Sequence, residues 1–123
     1  MLSAPVAQAI ESLHPETSQY LGRMQALSQA AADPALLELC RSYMEAALRC
    51  ENWQPSAGSL TPREQAFIAF VEQFITAVDG MQAEQVTSLL DYASADEVYA
   101  FIHAIYVMDM SLRLEIVGRE VLA

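Results

Sequence analysis

The sequence predicts an all-α protein, folded as one compact bundle of five to six helices. Apolar residues recur every three or four positions along most of the chain, as in amphipathic helices, and no segment has the alternating pattern of a half-buried strand. Prolines, capping residues and glycines fall between these apolar stripes, where helices would end. With 123 residues and 54% hydrophobic content, the chain fits a single domain over residues 1–123 with its own core.

Three helices are predicted in the first half of the chain. The first ends near His14-Pro15, and its stripe comprises Val6, Ala9, Ile10 and Leu13. The stripe of the second comprises Tyr20, Leu21, Met24, Leu27 and Ala31. Asp33-Pro34 predicts the start of the third, because aspartate is a favoured N-cap and proline fits the first helical turn. Its core stripe comprises Leu36, Leu37, Cys40, Met44, Ala47 and Leu48, and its polar face comprises Glu38, Arg41, Ser42, Glu45 and Arg49.

The second half of the chain follows a loop at residues 52–60. Thr61 and Glu64 have the spacing of a capping box, and Gly80 predicts the end of the helix that they begin. The stripe of this helix comprises Phe67, Phe70, Val71, Phe74, Ile75 and Val78. A short helix is predicted around Val86, Leu89 and Leu90. A second capping box, Ser94 to Glu97, begins a long final helix through Val98, Phe101, Ile102, Ile105, Met108, Leu112, Ile116 and Val121.

The charge of the chain excludes several classes of partner. The net charge is −10, so phosphate backbones and anionic membrane surfaces would be repelled, and we expect neither nucleic acid nor membrane as a partner. All six basic residues are arginines, which excludes Schiff-base chemistry and a P-loop lysine. No apolar run has membrane-spanning length, and the N-terminus lacks the features of a signal peptide. These features predict a cytoplasmic protein.

The two cysteines lie ten residues apart in the predicted third helix. At ~1.5 Å per residue, Cys40 and Cys50 would be about 15 Å apart along the helix axis, too far for a disulfide. They are therefore expected to be free thiols in a reducing compartment. Neither they nor His14 and His103 have metal-ligand spacing, so no metal site is expected, and no cofactor.

Three residues, His103, Asp109 and Trp53, each allow two interpretations. His103 is three or four residues from Tyr99 and Tyr106, which favours a half-buried, hydrogen-bonded histidine over a general base. Asp109 should point near the core and pair with Arg113 one turn later; the alternative is a polar group in a pocket. Trp53, in the loop, either plugs one end of the bundle or anchors a ligand or partner. The methionines Met44, Met81, Met108 and Met110 are expected to fill the core.

Several segments resemble the alkylhydroperoxidase-D-like and carboxymuconolactone decarboxylase superfamily of small helical proteins. The segments that carry the resemblance are His14-Pro15-Glu16, Asp33 to Leu39, Leu60 to Ala66, Asp96 to Val98 and Ile105 to Leu114. The third of these resembles the family's "L-[ST]-x-R-E-x-A" helix start, and Arg113-Leu114 fall at its usual Arg-Leu pair. The resemblance covers most of the chain and implies the helical fold of that family.

The family's redox members carry a C-x-x-C pair, a histidine shortly after it and a glutamate earlier. Counted from Glu38, the first cysteine falls on Cys50, the second on Trp53 and the histidine on Ala57. The chain also lacks the helix or two that the family has before its "R-E" helix. The resemblance thus leaves Glu38 and Cys50 as candidate catalytic residues, while the thiol that would resolve a sulfenic acid is missing. His103, from its place on the final helix, is the third candidate, as a general base.

Three functions follow as hypotheses. The leading one is a non-redox binding or oligomeric scaffold protein, with a small molecule as a further possible ligand. The alternatives are a thiol-dependent peroxidase that uses Cys50 with an external reductant, and a lyase or isomerase that acts on a small carboxylate through Arg113, Asp109 or His103. The resemblance implies a homo-oligomer such as a trimer or hexamer. The final helix agrees, since it is apolar on one face through Val98, Phe101, Ile105 and Leu112 and on another through Tyr99, Tyr106 and Met110.

Overall fold

The computed structural model describes residues 2–30, 32–56 and 58–122, apart from the side chain of Gln29. Six α-helices follow one another over these residues: α1 (Ala4–Leu13), α2 (Pro15–Ala30), α3 (Pro34–Leu48), α4 (Pro62–Ala77), α5 (Ala83–Thr87) and α6 (Ala95–Leu122). Two 3₁₀ turns, Val78–Gly80 and Ser88–Asp91, lie on either side of α5. The described residues contain no β-strand, so the predicted all-α bundle is confirmed.

The predicted helix starts are present with their caps. Asp33 accepts hydrogen bonds from the backbone amides of Ala35 and Leu36, at 3.0 and 3.4 Å. Thr61 and Glu64 form the predicted reciprocal capping box at the start of α4. Ser94 and Glu97 make the same pair of bonds, both 3.2 Å long, before α6. Each cap satisfies backbone amides that the first helical turn leaves without partners.

The core lies where α3, α4 and α6 meet, closed at one side by the turn Ser88–Asp91. Phe101 of α6 packs edge-on against Phe67 and Phe70 of α4, with ring centroids 4.7 and 6.1 Å apart. Leu89, from the turn, is fully buried in the same cluster. Burying side chains of this size contributes roughly 1.5–3 kcal/mol each, so this cluster supplies much of the stability of the bundle.

The hairpin of α1 and α2 packs on α6 away from that core. Gly118 allows α1 to approach closely, because a Cβ atom there would lie 3.1 Å from Val6 Cγ1. Gln25 of α2 donates a hydrogen bond from its side-chain amide to the hydroxyl of Ser111, at 2.9 Å, and Ser111 donates to the Val107 carbonyl oxygen. A buried polar contact therefore fixes the position of α2 on α6.

The predicted stripes identify the core of α3 well and that of the outer elements less well. Leu36, Leu37, Cys40 and Met44 are buried as predicted. The structure corrects the prediction at several apolar residues that are exposed instead: Leu13, Tyr20, Leu27, Val78, Leu90 and Val121. On α2 the buried face runs through Leu21 and Ser28, because this helix contacts only α1 and α6 closely and turns a small, partly polar face to them. Ala31 lies outside the described residues.

Over the described residues, no helix is both long enough and apolar enough to cross a membrane. The longest, α6, has 28 residues and interrupts its apolar positions with charged residues. Core residues come from one side of it, and α1 and α2 cover a neighbouring side. The side opposite the core remains open, and this determines where the candidate functional surface lies.

Candidate functional site

Cys50, the candidate nucleophile, lies just beyond the C-terminal end of α3. Its amide donates to the Ala47 carbonyl oxygen at 3.1 Å, and the Glu51 amide donates to that of Ala46 at 2.8 Å. This is the hydrogen-bond pattern of a Schellman motif, and Cys50 has the left-handed backbone that the motif requires, with φ at 56°. The exposed thiol therefore lies at the C-terminal end of α3, which is the negative end of the helix dipole.

Glu38, the candidate carboxylate, is held on the exposed face of the same helix by Arg41. Both nitrogens Nε and Nη2 of Arg41 donate to Glu38, at 2.9 and 2.7 Å, and its Nη1 donates to Glu45 at 2.6 Å. The Arg41 hydrogen bond lowers the pKa of Glu38 more than partial burial raises it. The carboxylate of Glu38 is thus kept ionised and engaged, rather than poised to accept a proton.

His103, the candidate base, is exposed on α6, as are Tyr99 and Tyr106. The predicted half-buried environment for this histidine is wrong, because its face of α6 points away from the core. The three residues do share one face of the helix, as their spacing predicted.

The structure does not bring Glu38 and Cys50 together. Ten residues of helix separate Glu38 from Leu48, the last residue of α3, which corresponds to about 15 Å of rise. Glu38 lines a small groove of about 260 Å³ beside Trp53, and neither Cys50 nor His103 lines it. Ala57, where the resemblance would require a histidine, lies outside the described residues.

Trp53 packs onto α3 rather than projecting from the loop. Its indole nitrogen donates to the Ser42 hydroxyl at 3.0 Å, and its ring meets Tyr43 edge-on with centroids 5.3 Å apart. The side chain is half-buried against the core cluster. Trp53 therefore packs against the core, as expected if it closes an end of the bundle, and it also lines the groove beside Glu38, so both interpretations stay open.

A large groove lies between the C-terminal part of α4 and the open side of α6. It has a volume of about 910 Å³ and is lined mainly by apolar side chains: Phe74, Ile75, Val78, Tyr106, Met110, Leu114 and Val117. Phe74 and Tyr106 meet across it with ring centroids 6.0 Å apart. Met110, expected in the core, lines this groove. Sequence reasoning assigned Phe74, Ile75 and Val78 to a core stripe and so missed the groove.

Asp109 and Arg113 form the polar part of the groove. Arg113 Nε donates to Asp109 Oδ1 at 2.9 Å, which confirms the predicted ion pair. The Asp109 side chain is 21% exposed and that of Arg113 is 51% exposed. Among the described residues, neither terminal nitrogen of the Arg113 guanidinium has a hydrogen-bond partner, so two of its donor groups remain available.

An apolar stripe continues from the groove along the open side of α6. We define the α6 stripe as Tyr99, Tyr106, Met110, Leu114, Val117 and Val121. Tyr99 and Val121 are 77% exposed, Tyr106 is 63% exposed and Val117 is 61% exposed. The stripe spans about 33 Å at ~1.5 Å per residue. It contains no acidic residue, although the chain as a whole is strongly acidic, and the exposed His103 lies between Tyr99 and Tyr106 on the same face.

Among the described residues there is no group of three or more histidine, cysteine, aspartate or glutamate side chains that could hold a metal ion. Comparison of the chain with protein-family models, with curated proteins and with solved structures found no match.

Proposed function

We propose that this chain is a non-redox assembly protein of the alkylhydroperoxidase-D-like type, which self-associates through the α6 stripe and the adjoining groove. Its affiliation with that superfamily rests on the resemblance of the segments Asp33 to Leu39, Leu60 to Ala66 and Ile105 to Leu114. The helical bundle is consistent with this affiliation.

The observation that carries the proposal is that α6 is apolar on the side opposite the core. A helix that is apolar all round is normally covered on all sides. Here the core takes one side, while the aromatic and aliphatic side chains Tyr99, Tyr106, Val117 and Val121 stay exposed. Large apolar patches are rare on soluble monomers and mark interaction surfaces.

Charge supports self-association at this particular face. A net charge of −10 opposes the approach of two copies, yet charges farther apart than about 8 Å are largely screened at physiological salt. The stripe has no acidic residue, and Arg113 beside it offsets Asp109. Contact between two copies through α6 therefore avoids most of the repulsion.

The non-redox part of the proposal is supported by the surroundings of the thiols. Cys40 is fully buried, and burial raises its pKa to about 12. Cys50 follows a helix C-terminus, and Glu38 is engaged by Arg41. We expect no thiol-dependent turnover of an alkyl hydroperoxide in the presence of dithiothreitol. Turnover that is lost in Cys50→Ser would instead favour the peroxidase alternative.

Light scattering behind a sizing column tests the self-association. The wild-type chain at tens of micromolar should elute as a multiple of 13.5 kDa. Val117→Glu introduces a charge into the stripe and should shift the protein to the monomer mass. Leu27→Glu is the matched control, because Leu27 is also largely exposed, at 70% against 61% for Val117, but lies on α2. This variant should keep the wild-type mass. A wild-type monomer would refute the proposal.

A further inference from the structure

We propose that the occupant of the groove is α6 of a second copy of the same chain, antiparallel to the first and related to it by a two-fold axis near Met110. This inference rests on the proposed self-association and adds its symmetry and register. In this arrangement Arg113 of each copy pairs with Asp109 of the other.

The positions of Asp109 and Arg113 on α6 favour an antiparallel contact. At 3.6 residues per turn, Tyr106, Met110 and Val117 lie near the middle of the open face, while Asp109 and Arg113 lie on its groove side. A two-fold axis between antiparallel helices brings the same side of each helix into contact. The groove side of one copy therefore faces the groove side of the other, and both charged pairs meet there.

The alignment of the two α6 helices along their length also fits a two-fold contact. When Arg113 lies opposite Asp109 of the second copy, the axis passes close to Met110, and the relation is reciprocal, as a two-fold contact requires. The same register sets Tyr106 against the region of Leu114 and Val117 of the second copy. It sets Tyr99 against the region of Val121. The part of the α6 stripe from Tyr106 to Val121 is then covered by its own counterpart, and Tyr99 lies at the end of the partner helix.

The Arg113 guanidinium can donate hydrogen bonds beyond the one it makes within its own copy. Within one copy the Arg113–Asp109 pair uses Nε and Oδ1, and the terminal nitrogens of the guanidinium have no partner among the described residues. A carboxylate from the second copy can accept from them. A parallel arrangement offers no such partner, because it would set the charged side of one helix against the opposite side of the other. On that side Val107 is buried and Gly118 lies against Val6 of α1.

A contact along the α6 stripe would extend for about 33 Å, most of the length of α6. A specific interface buries about 800 Å² on each partner, roughly a tenth of the surface of a small protein. The accessible surface of this chain is 7711 Å². A contact of that standard size would therefore cover about a tenth of the surface of each copy.

Charge exchange tests the register. Asp109→Arg leaves two arginines on the groove side, and Arg113→Asp leaves two aspartates, so each variant alone should self-associate at least about tenfold more weakly than the wild type. Mixed together, the two variants regain both pairs and should form a one-to-one complex, detected by native mass spectrometry. The double variant Asp109→Arg/Arg113→Asp, which retains both pairs with their charges exchanged, should self-associate like the wild type. Circular dichroism verifies that each variant is folded.

Cross-linking tests the symmetry in the Cys50→Ser background. Met110→Cys lies near the axis and should form a disulfide between copies on mild oxidation. Tyr99→Cys should not, because the two copies of this position would be about 36 Å apart along the helix direction. Cross-linking at both positions would indicate parallel helices and overturn the inference.

The outcomes separate the two proposals. Suppose that the wild type is an oligomer and Val117→Glu is a monomer, but the mixed charge variants associate no more strongly than either variant alone. The two-fold register is then wrong, while self-association through α6 stands. If the wild-type chain is a monomer, both proposals fail.

Discussion

Trp53 donates a hydrogen bond from its indole nitrogen to the hydroxyl of Ser42, at 3.0 Å, and this bond ties the loop after α3 back onto that helix. The indole also meets Tyr43 edge-on. A half-buried donor that loses its acceptor bears a desolvation cost, so the pair should contribute to the stability of the fold.

We expect Ser42→Ala to lower the free energy of unfolding by about 1 kcal/mol, and Trp53→Phe to lower it at least as much. The double variant should be less destabilised than the sum of the two, by about 0.5–1.5 kcal/mol, because both single changes remove the same bond. Urea unfolding followed by circular dichroism measures this, since Trp53 is the only tryptophan and its loss removes the fluorescence signal. Strictly additive effects would mean that the bond contributes nothing.

Cys50 occupies a left-handed position that glycine usually fills at the end of a helix. Left-handed backbone costs a residue with a side chain roughly 1–2 kcal/mol, and glycine avoids that cost while losing some entropy on folding. Cys50→Gly should therefore raise the free energy of unfolding by about 1 kcal/mol, measured by urea unfolding. Cys50→Ala is the control and should change little. An equal increase in the free energy of unfolding of both variants would mean that removal of the thiol, and not the left-handed backbone, causes the stabilisation.

The parts of the fold that the sequence predicts are those governed by local rules. Asp33, Thr61 and Ser94 cap helices through residues two or three positions away, and the stripe of Leu36, Cys40 and Met44 follows from helix periodicity. The residues predicted wrongly depend on distant partners. Leu27 has the same spacing as a core residue, and only the packing of α2 on α6 leaves it exposed.

In the candidate site, too, contacts between residues close in sequence were predictable, and contacts between distant segments were not. The Asp109–Arg113 pair was predictable from a spacing of four residues along one helix. The groove around it was not, because it forms where the end of α4 stops short of covering α6, a relation between segments about 30 residues apart. The pattern of Phe74, Ile75 and Val78 alone cannot distinguish a core stripe from the wall of an open groove.

The two thiols should differ sharply in reactivity. Cys40 is fully buried and its pKa is raised to about 12 by burial, whereas Cys50 is exposed. Brief alkylation of the native protein with iodoacetamide, followed by peptide mass mapping, should modify Cys50 and leave Cys40 intact. Alkylation in urea is the control and should modify both. Modification of Cys40 first would contradict the packing of α3.

Acid should destabilise the protein through the carboxylates that its caps and ion pairs hold ionised. Burial opposes ionisation of Asp33, but hydrogen bonds from the Leu36 amide, the Arg63 guanidinium and the Ala35 amide together lower its pKa. Hydrogen bonds from Ser94 lower the pKa of Glu97 in the same direction. A carboxyl group whose pKa is lower in the folded than in the unfolded state stabilises the protein above its unfolded value, about 3.9 for aspartate, and this stabilisation is lost as the pH falls through the folded value.

Two substitutions at Asp33 separate its capping role from its charge. Asp33→Ala removes the cap and should lower the free energy of unfolding by about 1 kcal/mol at pH 7. Asp33→Asn keeps a capping oxygen but loses the ion pair with Arg63, whose Nη2 lies 3.2 Å from Oδ2. Its deficit relative to the wild type should be smaller than that of the alanine variant, and constant above about pH 5. Below about pH 4 it should shrink, because Asp33 of the wild type then binds a proton in the unfolded state and, at lower pH, in the folded state as well. Urea unfolding between pH 3 and pH 7 measures this difference, and a deficit that stays constant over the whole range would show that the charge of Asp33 contributes nothing to stability.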